Sequence, residues 1–243
     1  ADKSMVRLRP FFSFYGSKWT LARHYPEPAY PCIIEPFAGS ASYSLCHPAR
    51  KVQLYDLDDF ICGIWDYLIR APEKEILSLP DLPDARSTAD LPIPREAQWL
   101  IGMWLNPGSS QPKLRWSSWG KKWKNKDGKL FWGERVRQRI ASQQQYIRHW
   151  KILLSDYRHI PGSHAAWFID PPYEDKGKYY RKNSIDYDEL SLWCRRRHGQ
   201  TIVCEQEGAE WLPFRQFRSI AGQRIKSTEM IWTKHPQQLS LGW

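Results

Sequence analysis

Apolar residues in this chain come in short runs that stop at acids, prolines or glycines, and strand-like runs alternate with helix-like ones. The runs at 32–35, 51–55, 165–169 and 200–205 predict buried strands, and the spacing at 60–68 and 188–197 predicts amphipathic helices. That interleaving predicts an α/β fold, a Rossmann-like sheet with helices on both faces. The stretch 217–233 predicts a terminal β-hairpin. A helix start is expected at 19–24 and one helical turn at 43–46, stopped by Pro48. Prolines break the chain repeatedly over 71–106, where the alternation lapses. Val136, Ile140, Ile147 and the Leu153-Leu154 pair predict one helix over 134–154. Asn125 to Lys129 reads as a turn or hairpin, and 173–183 as a polar, mobile loop. The predicted organisation is a sheet domain from 1–70 plus 151–243, with a mostly helical, basic insert at 71–150.

Charge sharpens the view of the insert. Twelve Lys/Arg face only Asp127 and Glu134 over 113–151, so this one segment carries the whole net excess of +10. It also holds Trp116, Trp119, Trp123, Trp132 and Trp150, of which most are expected in the core and Trp119 or Trp123 could wedge into a base stack. Concentrated positive charge among flat aromatic rings fits a polyanion with stackable bases. Lys113, Arg115, Lys121, Lys122, Lys124, Lys126, Lys129 and Arg135 are the candidate contacts. The five cysteines are scattered without a C-x-x-C pair, which excludes a zinc ribbon and a disulfide framework and fits a reducing compartment. No metal site is expected. No apolar run approaches the roughly 18–20 residues of a membrane span.

The candidate chemistry sits where strands end. The run Ala-Ala-Trp-Phe-Ile stops at Asp170-Pro171-Pro172-Tyr173, and two prolines force a stiff turn there. A carboxylate at position 170 and the Pro171 carbonyl together accept both hydrogens of an exocyclic amino group, and Tyr173 covers the heterocycle bearing it. The arrangement suits chemistry on the amino nitrogen of a base. Another strand ends in the small-residue turn Pro36-Phe37-Ala38-Gly39-Ser40-Ala41-Ser42, which lets a ligand approach the backbone. Asp56 ends the next strand, seventeen residues after Gly39, near the spacing at which an acid takes ribose hydroxyls.

In this order the pieces resemble the Dam-like (D12 class) DNA adenine-N6 methyltransferases. The family's aromatic-x-Gly-Gly-Lys element reads Phe14-Tyr15-Gly16-Ser17-Lys18 here. Its E-P-F-x-G-x-G turn reads Glu35-Pro36-Phe37-Ala38-Gly39-Ser40-Ala41, with alanine for the second glycine. Its D-I-N reads Asp56-Leu57-Asp58, and its D-P-P-Y matches in full. The resemblance implies a site for S-adenosyl-L-methionine built from Phe14, Tyr15, Lys18, Glu35, Phe37, Ala38, Gly39, Ser40, Asp56, Leu57, Asp156, Tyr157 and Asp170. It implies Asp170, Pro171, Pro172 and Tyr173 as the catalytic group acting on a flipped adenine in double-stranded DNA. The family's insert motifs are replaced by Trp104-Leu105-Asn106 and Leu130-Phe131-Trp132-Gly133, so no recognition sequence carries over. The alternatives are N4-cytosine or RNA adenine methylation, or an inactive DNA-binding relative. A cytoplasmic setting in a bacterium or phage-infected host, and a monomer or weak dimer, complete the expectations.

Overall fold

The computed structural model describes residues 6–124, 130–173, 185–221 and 226–235. In chain order it contains α1 (Trp19–Ala22), β1 (Cys32–Glu35), β2 (Lys51–Asp56), α2 (Asp59–Arg70), α3 (Glu73–Ser78), α4 (Arg95–Trp104), α5 (Ser118–Trp123), α6 (Glu134–Gln143), β3 (Lys151–Leu154), β4 (Ala165–Ile169), α7 (Tyr187–Arg195), β5 (Gly199–Gln206), β6 (Arg215–Ala221) and β7 (Lys226–Lys234). The strands form one sheet in the order β3-β2-β1-β4-β5-β7-β6. Neighbours from β3 to β5 are parallel, whereas β7 runs antiparallel to both β5 and β6. This is a Rossmann-like sheet: a doubly wound 3-2-1-4-5 core closed by an antiparallel pair.

Every residue of β4 is buried because both of its faces are covered. Ala166 and Phe168 join one core with Ile33, Val52 and Leu54, while Ala165, Trp167 and Ile169 join the other with Ile34 and Val203. Helix α2 presents Ile61, Ile64, Trp65 and Leu68 to the first core at helical spacing. Its N-cap is Asp58, whose Oδ1 accepts from the Phe60 amide at 3.0 Å. Helix α7 buries Leu190, Trp193 and Cys194 against the opposite face and is capped by Asp186. Helices α3, α4 and α6 extend the first core rather than building a separate one: Ile76, Leu100, Trp104 and Val136 cluster with Trp65 and Leu68.

Two expectations need correction. The helix expected over 134–154 ends at Gln143, passes through a 3-10 turn, and gives way to strand β3. Lys151–Leu154 pairs in parallel with β2 from Gln53 to Asp56, so it is the sheet's edge. Its exposed Leu153 and Leu154 imitate a continuing helix stripe in sequence. The proline-broken stretch 71–106 is also more regular than expected, since Pro72 and Pro94 stand just ahead of α3 and α4, the end of a helix where proline is tolerated. The expected turn at 125–129 and nearly all of the loop at 173–183 lie outside the described residues.

Candidate functional site

A cleft opens at the carboxyl ends of β1 and β4, where the strand order reverses, the usual ligand position in an open α/β sheet. It spans about 1000 Å³ with its open mouth included. All thirteen candidate cofactor residues line it, from Phe14 and Lys18 on one wall to Asp156 and Tyr157 on another.

The floor is the turn after β1. Gly39 has φ +44°, and a Cβ there would stand 3.0 Å from the Phe14 ring, so glycine is what lets that aromatic lie on the turn. Ala41 also has positive φ, 49°, which costs a side-chain-bearing residue about 1–2 kcal/mol. The turn is fastened from several sides. Asp56 Oδ2 accepts from the Gly39 amide at 3.0 Å, Asp56 Oδ1 accepts from the Asp58 amide at 2.9 Å, and the Trp65 indole donates to the Gly39 carbonyl at 2.8 Å. The hydroxyls of Ser17, Ser40 and Ser42 lie within 3.0–3.1 Å of one another, tying the Phe14–Lys18 element to the turn. Ser17 and Ser42 line the cleft but were not singled out by sequence reasoning; only contact between distant segments distinguishes them from ordinary loop serines.

Burial dominates the electrostatics. It raises the Glu35 carboxyl to about 8, although the Ser44 amide donates to its Oε1 at 2.8 Å. It raises Asp56 to about 6 against the pull of the Gly39 amide. Asp156 moves the other way, because the Arg158 guanidinium donates to both of its oxygens. Tyr157 packs on Phe37, ring centres 5.6 Å apart.

Asp170 ends β4 facing the cleft, 21% exposed at the side chain. Burial raises its carboxyl to about 7; the Lys18 ammonium, 3.7 Å away, opposes that rise and Glu229 reinforces it. Pro172 also lines the cleft, and its carbonyl accepts from the Tyr187 hydroxyl at 2.6 Å. Pro171 and Tyr173 are buried. The Tyr173 ring lies under the Lys18 ammonium at 4.2 Å, and its hydroxyl donates to Glu229 Oε1 at 3.0 Å. Glu229 and Tyr25 are the residues sequence reasoning missed behind the catalytic candidates. Glu229 shares the inward face of β7 with Ile231, two residues on, and a charge in that inward position was the available signal.

None of the described basic candidates lines this cleft, but the chain that leads to them does. Ser110 forms part of its wall, and the Ser109 carbonyl accepts from the Tyr15 amide at 3.1 Å. Lys113, Arg115, Lys121, Lys122 and Arg135 follow and are exposed, Arg115 donating to the Ala85 carbonyl. Lys124 is ion-paired with Asp84. Lys126 and Lys129 lie outside the described residues. Trp116, Trp132 and Trp150 are buried, whereas Trp119 and Trp123 on α5 are 51% and 39% exposed.

Among solved structures, an Escherichia coli chain, yhhF, a methyltransferase by name, is similar at a TM-score of 0.36 and 11% identity. The likeness covers 85% of this chain and 76% of that one. No protein-family model and no curated protein sequence matches the chain. The fold therefore stands on strand order and register, and the site on its own geometry. No helix among the described residues is long and apolar enough to cross a membrane.

Proposed function

We propose that this chain is an S-adenosyl-L-methionine-dependent DNA methyltransferase that methylates N6 of adenine in a site-specific manner. The observation that carries the reading is the position of Asp170: at the end of β4, lining one cleft together with the glycine turn and with Ser110, from which the chain runs on into the basic segment.

The residues present fit the cofactor. Asp56 spends one lone pair of each oxygen on a backbone amide, which leaves acceptor capacity for ribose hydroxyls. Phe14, Phe37 and Tyr157 supply aromatic surface for its adenine, and Glu35 supplies negative charge for the ammonium of its amino-acid end. When bound, the cofactor supplies an electrophilic methyl group.

The chain's own part is to present the nucleophile. An adenine inside a duplex is out of reach, so the base is flipped, at a cost of a few kcal/mol in stacking and pairing. The Asp170 carboxylate and the Pro171 carbonyl then accept the two N6 hydrogens, drawing the nitrogen lone pair out of conjugation. Positive charge developing on N6, as the methyl group leaves the sulfonium sulfur for that nitrogen, would be stabilised by Asp170 in a partly dry site. The methylated nitrogen, now acidic, would give up one proton to solvent. The exposed lysines and arginines from Lys113 to Arg135 hold the phosphates, and Trp119 and Trp123 offer stacking surface beside them.

The test is base-resolved sequencing and nucleoside mass spectrometry of DNA from cells expressing the chain, with Asp170→Ala as control. N6-methyladenine present only with the wild type supports the reading. N4-methylcytosine moves the activity to the other amino base, and unmodified DNA with both chains overturns it.

A further inference from the structure

Lys18 reaches into the cleft from the loop ahead of α1, with its side chain 10% exposed. Its ammonium lies 3.7 Å from Asp170 Oδ1 and 3.5 Å from Glu229 Oε2, above the Tyr173 ring. A cation beside Asp170 and over the face of Tyr173 occupies the place where the proposed reaction needs an amino group and its ring. Glu229 is 3% exposed and is the second carboxylate within reach of that cation. Its Oε1 accepts from Tyr25 at 2.8 Å and from Tyr173 at 3.0 Å, while Oε2 faces Lys18. A buried glutamate held by two tyrosines is an expensive feature, and the chemistry described above gives it no task.

We propose that Lys18 is a displaceable stand-in for the target amine, and that Glu229 is the positioning residue that receives its ammonium when the base arrives. The inference rests on the function proposed above. Lysine is suited to this exchange, being a compact charge on a long flexible stem. With Asp170 as its sole anion, the ammonium would lose its ion pair whenever the base entered. With Glu229 Oε2 at 3.5 Å, a small swing of the side chain keeps the charge paired and leaves Asp170 to the incoming amine. The same movement uncovers the Tyr173 ring. The other titratable groups facing this cluster are Tyr25, Glu35 and Cys204, and burial raises all three.

Two predictions separate this role from a merely structural one. Glu229→Gln lowers turnover about tenfold or more, since the productive arrangement becomes the minor one, while cofactor affinity changes less than about twofold. Adding Lys18→Met to Glu229→Gln restores most of that loss, because no cation is left to compete. A double variant as impaired as Glu229→Gln alone overturns the proposal. A second arm needs no methyl transfer: methylammonium chloride raises the melting temperature of Lys18→Met more than sodium chloride does at equal concentration, and does not do so for the wild type. Equal effects of the two salts on Lys18→Met overturn the proposal. If the wild type methylates no adenine yet this difference is seen, the proposed reaction fails while the amine site stands. In the wild-type chain itself, the Lys18 side-chain nitrogen resonance moves on adding an adenine oligodeoxynucleotide and stays put with a purine analogue lacking the amino group. No movement with adenine overturns the proposal without any substitution.

Discussion

Replacing Asp170 by alanine removes the carboxylate at the end of β4 that lines the cleft, and its loss is expected to cost at least about a hundredfold in methyl transfer. Affinity for DNA, carried by phosphate contacts elsewhere, is expected to stay within about threefold, as a filter-binding titration would show. Because the carboxyl is held up at about 7 by its burial, wild-type activity should fall on the acid side with a midpoint near that value. Ala41→Gly relieves a left-handed backbone at the cost of some chain entropy and a small buried methyl. A gain of about 0.5–1 kcal/mol is expected, readable as a rise of about 1–4 °C in Tm. The glycine turn and the Asp-Pro-Pro-Tyr segment were legible in sequence because short-range chemistry builds them. The left-handed Ala41 was not, since alanine gives no warning of positive φ. Nor was the Lys18–Glu229 pair, whose members are brought together only by the closing of the sheet.

At the scale of elements, the pattern of short unbroken apolar runs revealed the strands with two covered faces. It failed at β3, an edge strand of four residues whose burial is too slight to impose period two. The insert shows the same limit in reverse. Helices α3 and α4 are short and follow prolines, so their caps looked like breaks. Helix α5 packs its Gly120 beneath the Leu105 carbonyl while exposing Trp119, Lys121 and Lys122. Removing the charge at Lys122 should weaken binding to every DNA sequence alike. It should flatten the plot of log affinity against log salt by about one unit. Unchanged slopes for Lys113, Lys121, Lys122 and Arg135 in turn would exclude this surface as the docking face.

Across the whole molecule, three cleft carboxyls bind protons more tightly folded than unfolded: Asp56 at about 6, Asp170 at about 7 and Glu35 at about 8. Their stabilising effect is complete below the ordinary carboxylate range near 4 and is lost as pH rises through those values. Each proton released contributes a slope of about 1.4 kcal/mol per pH unit in that window. Urea unfolding of the free chain should therefore give a lower stability at pH 8.5 than at pH 5. Glu35→Gln, which keeps an acceptor for the Ser44 amide but cannot ionise, should flatten the upper part of the decline. The amide bond from Tyr15 to the Ser109 carbonyl has a consequence at this scale too. It joins the wall that would cradle the methyl donor to the chain leading into the segment that would grip phosphates, so the two occupancies are expected to be thermodynamically linked. Linkage is reciprocal: whatever factor one guest adds to the other's affinity must be returned in equal measure. Titrating each in the presence and absence of the other would measure that shared factor from both directions.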